Sequence, residues 1–228
     1  MILRIIISLL IGLGCGIGAY FCLDESQEDK LIFLKKYDKK DLYNLSVNRN
    51  IAIILSCVIF VLCGFLTFKI YGDSLDILNF IKMMVLLFAL LLSGVVDLRK
   101  HIIPNLFILI TIIIAVILLL VAIVVGQDGA YTYIVTNIGT AVVSVIALVI
   151  GSLLSHHGVG AGDIKLIFAV ALLGGVYITC GILFFGIIMC AATSLVLLLF
   201  KKIKKTGSLP FGPFLFVGYI LTVILYKY

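Results

Sequence analysis

Asp97 and Asp163 are carboxylates set among long apolar runs, 66 positions apart in sequence (163 − 97). An ionisable group at the edge of a bilayer is costly and marks a functional site by default. Two carboxylates at one depth permit hydrolysis of a peptide bond. One, ionised, takes a proton from water; the other, protonated, polarises the scissile carbonyl. Like charges a few ångströms apart cannot both ionise easily, so such a pair holds one proton and titrates as a unit.

The neighbours of each acid fit that chemistry. Gly158, Gly160 and Gly162 alternate ahead of Asp163 in Gly160-Ala161-Gly162-Asp163-Ile164-Lys165. Without side chains they let a substrate backbone approach closely; a glycine-loosened loop before a helix is the plainer reading of the same pattern. Lys165 stands two residues beyond Asp163, a spacing that does not face it on a helix, so it anchors at the interface or meets another loop. Asp97 is followed by Leu98-Arg99-Lys100-His101-Ile102-Ile103-Pro104-Asn105. Pro104 suits the first turn of the next helix, and Asn105 can cap or hydrogen-bond there. Arg99 and Lys100 read first as topology markers. His156-His157 lacks a carboxylate partner at ligand spacing, so no metal and no cofactor is expected. The six cysteines form no C-x-x-C pair and read as small apolar residues.

The elements that must carry these residues are membrane helices. The chain of 228 residues is 64% hydrophobic, with a mean hydropathy of +1.34 and only 12% charged residues. A span needs about 20 apolar residues, and backbone groups in lipid must be satisfied internally, which favours helices. The expected fold is therefore all-α, a polytopic bundle of about eight spans at 2–23, 51–71, 77–97, 103–125, 131–155, 163–180, 181–200 and 209–226. As one straight helix, 163–200 would be roughly 57 Å long, so a tight turn between Gly174-Gly175 and Gly181 is expected. Residues 1–22 read as a retained first span. The chain divides into 1–50, a first helix with a short basic loop, and 51–228, a membrane-embedded core.

The basic residues orient the bundle. With the N-terminus outside, the inner loops 24–50, 98–102, 156–162 and 201–208 and their flanks hold Lys30, Lys35, Lys36, Lys39, Lys40, Arg49, Arg99, Lys100, Lys165, Lys201, Lys202, Lys204 and Lys205, 13 of the 17 Lys and Arg. This asymmetry is the positive-inside signal. It accounts for the formal charge of +6 without a nucleic-acid partner. Arg4, Lys69 and Lys227 remain outside, and Lys82 lies within a span near its outer end, where it could snorkel. Both acids then lie at the inner face.

Asp97-Leu98 with Ile103-Pro104-Asn105 resembles the first catalytic motif of type IV prepilin peptidases. Gly160-Ala161-Gly162-Asp163-Ile164-Lys165-Leu166 is similar to the second, Gly-x-Gly-Asp-x-Lys. Leu209-Pro210-Phe211-Gly212-Pro213-Phe214 resembles the Pro-Phe-Gly-Pro segment opening the last helix of that family. The resemblance covers roughly 77–226. It implies an aspartyl intramembrane protease of the cell membrane that removes leaders from type IV prepilins or pseudopilins on the cytoplasmic side. Asp97 and Asp163 would be the catalytic pair, Gly160 and Gly162 would shape the site, and Pro210, Phe211, Gly212 and Pro213 would line it or hold the last helix. Larger bacterial members carry paired zinc-binding cysteines after the first span. Here 24–50 has no cysteine, and the first span lacks a Ser-Phe-Asn-Val-like stretch. The pattern is that of shorter, peptidase-only forms, and N-methylation is not implied. A proton-coupled transporter and an inactive pilus or secretion assembly protein are the competing readings. Transporter sites usually lie near the midplane, whereas both acids here are placed near one face. The oligomeric state is not read from these residues.

Overall fold

A computed structural model of the chain describes residues 54, 58–62, 64, 77–100, 103, 105–126, 129–154, 160–200 and 209–225. The expected first span, the basic 24–50 loop, most of the second span, Pro104, His156-His157, Gly158 and the 201–208 loop lie outside the described residues, as do the side chains of Arg99 and Lys100. Among the described residues the fold is helical, without strands. It comprises α1 (Ile77–Lys100), α2 (Asn105–Val124), α3 (Ala130–Leu154), α4 (Ala161–Leu199) and α5 (Gly212–Leu225). The first four are long and apolar enough to cross a membrane, while α5 as described has 14 residues. This chain is a membrane protein by these helices, and the expected count of eight spans reaches beyond what is described.

The centre of the bundle is α1. Its side chains from Phe80 to Leu92 are almost all buried, and they pack with Leu166, Ile167, Val170 and Leu173 of α4 and with Leu215, Tyr219 and Val223 of α5. By contrast, α2 and α3 each bury a narrow stripe and leave Ile, Leu and Val exposed on the rest. In water such surfaces would drive association; against lipid they are the expected exterior.

Helix α4 is a hairpin rather than a 39-residue rod. Gly175 within it has φ 66° and ψ −167°, a region open essentially to glycine alone. A straight helix would hold Asp163 and Cys190 about 40 Å apart, yet the Asp163 carboxylate acts electrostatically on the Cys190 thiol. The packing agrees. Gly174 meets Leu86 of α1, whereas Gly212 at the start of α5 meets Asp97. Tyr219 donates to the Met83 carbonyl (2.9 Å), so α5 runs antiparallel to α1. Gly181 then faces Thr222, and Gly186 faces Leu215, so the second half of α4 runs antiparallel to α5. The expected turn is therefore present, placed at Gly175.

Two residues of α3 secure that turn. Asn137 Nδ2 donates to the Leu172 carbonyl (2.9 Å), and the Tyr133 hydroxyl donates to that of Leu173 (3.4 Å). The last carbonyls of a helix lack intrahelical partners, and in lipid each costs several kcal/mol if left bare. Lys82 corrects an expectation. It does not snorkel; it is 3% exposed, with Nζ 4.3 Å from the centre of the Tyr133 ring. The aromatic face between α1 and α3 supplies the cation's contact.

Candidate active site

Asp163 occupies the third position of α4, after Gly160 as N-cap. Its carboxylate accepts a hydrogen bond from the Gly160 backbone N–H. This is half of a capping box, in which an acid at the third position reaches back to the N-cap amide. The local sequence explains it: Gly160 leaves room, since a Cβ there would lie 3.0 Å from Asp163 Oδ2. Gly162 lets the helix start pass Ile103, which would be 3.4 Å from a Cβ at that position.

Asp97 lies in the last turn of α1, 6% exposed. Its Oδ2 accepts a 2.8 Å hydrogen bond from the Gly212 backbone N–H. That amide is one of the free donors at the N-terminus of α5, where Phe211 accepts from Phe214 and Leu215. Pro213 follows and has no donor of its own. Asp97 thus caps α5 from another helix, a charge-assisted bond placed at the positive end of the helix dipole. Close approach makes it possible: Cβ atoms at Gly94 and Gly212 would lie 3.3 Å from Pro213 Cα and 3.2 Å from Gly94 Cα.

The two acids thereby come to one end of the bundle, within electrostatic reach of each other. Lys165 turns away and donates to Asn105 Oδ1 at the start of α2 (3.0 Å). Gly160, Gly162, Lys165, Asn105, Pro210, Phe211, Gly212 and Pro213 all belong to this end, and Pro104 lies outside the described residues. Residues 84–195, which include both acids, match the model of the type IV leader peptidase family. These residues belong to that family. No curated protein and no solved structure matches the chain.

Two neighbours of the site were not evident as site residues. Gly94 stands one turn before Asp97, a spacing that signals close packing on the acid's own face. Cys190 looks like an ordinary apolar residue and comes to the site through the α4 hairpin, while Ile103, part of the first motif, lies against Gly162.

Proposed function

We propose that the protein is an aspartyl endopeptidase that cleaves leader peptides from type IV prepilins or pseudopilins at the cytoplasmic membrane face. The observation that carries this reading is the convergence of Asp97 and Asp163, from different helices, within electrostatic reach in a leader peptidase family member. One carboxylate activates water while the other, protonated, donates to the scissile carbonyl oxygen. Both are held through backbone amides, Asp97 by Gly212 and Asp163 by Gly160, which orients the two acids. The concentration of 13 of 17 basic residues in the loops expected on the inner side supports a cytoplasmic site. A proton-coupled transporter is disfavoured because both acids lie at helix ends rather than at mid-helix.

The test is co-expression with a prepilin bearing a basic leader. Asp97→Asn and Asp163→Asn are each expected to abolish leader removal while the protein still accumulates in membranes. Leader removal that persists in both variants would overturn the mechanism.

A further inference from the structure

Two contacts join the first turn of α4 to the start of α2. Ile103 lies against Gly162, 3.4 Å from where a Cβ would stand, and Lys165 Nζ donates to Asn105 Oδ1 at 3.0 Å. They differ in kind. The Ile103 contact is buried and apolar. Apolar burial is non-directional, so it presses the two segments together without fixing their register. A hydrogen bond weakens steeply off its axis, so the Lys165–Asn105 bond supplies the register.

Its position ties it to the acids. Lys165 is two residues beyond Asp163, and Asn105 is eight residues beyond Asp97. Asp97 is held from another side by the Gly212 amide. The bond therefore links the segment that leaves one acid to the helical turn that carries the other. It closes a short path whose remaining side is the gap between the two carboxyl groups. Asp163 bonds to the Gly160 amide at its own helix start, so the acid moves with that turn.

Other roles suit Lys165 less well. Positions i and i+2 of a helix do not face each other, and the ammonium is already directed to Asn105. Both partners are exposed, yet a lysine offered to a basic leader would repel it.

We infer that Lys165 and Asn105 form a clasp that sets the separation of Asp97 and Asp163, acting as positioning residues rather than as contacts to the substrate. This rests on the leader peptidase reading above and gives the two residues one shared role within it.

The experiment separates turnover from binding. Cleavage of a prepilin with a basic leader is followed over a range of precursor concentrations. The membranes contain wild type, Lys165→Met, Asn105→Leu, the double variant or Asn105→Asp, and rates are normalised to the enzyme present in each. Each single loss of the bond is expected to lower kcat about fivefold, the factor one net hydrogen bond supplies, with KM unchanged. The double variant is expected to match the singles, because the bond is lost only once. Asn105→Asp keeps an acceptor and is expected to recover the kcat lost in Asn105→Leu. A rise in KM at unchanged kcat would make Lys165 a substrate contact. A loss of roughly 25-fold in the double variant, or no recovery in Asn105→Asp, would make the two residues independent supports. Wild-type kinetics in both single variants would leave the bond without a role. Each of these results would overturn the clasp while leaving the peptidase reading intact. Absence of cleavage by wild type would overturn the peptidase reading and this inference with it.

Discussion

At Gly160 the tolerance is a few tenths of an ångström, because an added Cβ would press on Asp163 Oδ2 at 3.0 Å. Gly162 is more forgiving, with Ile103 at 3.4 Å and no carboxylate involved. Gly160→Ala is therefore expected to slow leader cleavage roughly tenfold through misplacement of the acid, and Gly162→Ala by less. Initial rates on one precursor check the order; equal rates would remove Gly160 as a positioning residue. Much of this scale was legible beforehand. The acids, their glycines and the Pro210–Pro213 segment carry recognisable types and spacings. What sequence withheld was the hydrogen bonding: that Asp97 is held by the Gly212 amide, or that Lys165 is taken by Asn105, depends on how three helix ends meet.

At the scale of elements the hairpin in α4 decides the site. Glycine is required at its apex, since φ and ψ at Gly175 lie where a Cβ is strained and Asn137 Oδ1 would be 2.7 Å away. Gly175→Ala is expected to cost about 1–3 kcal/mol, read as a lower unfolding temperature in detergent; an unchanged temperature would contradict the assigned turn. The geometry has a second check. With Asp163→Cys, and Cys190 the sole remaining native cysteine, a short bifunctional thiol reagent is expected to cross-link the two within one chain. A continuous helix would forbid it at about 40 Å. The need for a turn was readable from length alone. Its position within the glycines was not, because the choice of Gly175 is made by Tyr133 and Asn137 of α3, residues remote in sequence from the turn.

For the whole molecule, the apolar composition makes a buried polar group conspicuous. Lys82 Nζ and Thr179 Oγ1 are buried without hydrogen-bond partners among the described residues. Desolvating a cation costs several kcal/mol, against about 2 kcal/mol from an aromatic face in a dry site. Lys82→Met, of similar length, is expected to keep or raise the unfolding temperature in detergent; a clear fall would show that the Tyr133 contact outweighs desolvation. Hydropathy placed Lys82 near a span end and so implied an escape to the surface. Burial of α1 against α4 and α5, with the Tyr133 ring of α3 over the ammonium, closed that route, which no single-helix pattern encodes. The same limit applies to α2 and α3, whose even apolarity conceals which stripe faces inward.

The donor that holds Asp97 belongs to the main chain of Gly212. No side-chain truncation at that residue deletes it. In an alanine scan of 209–214 the change at Gly212 would set a Cβ 3.1 Å from Asp97 Oδ2 and 3.2 Å from Gly94 Cα, mixing crowding of the acid with any effect on the bond. Only chemistry that replaces the amide itself, such as an ester at the 211–212 linkage, would isolate the bond's contribution. A contact of this kind constrains how the site can vary: Gly94 and Gly212 must stay bare, and the helix start that presents the amide must stay in place.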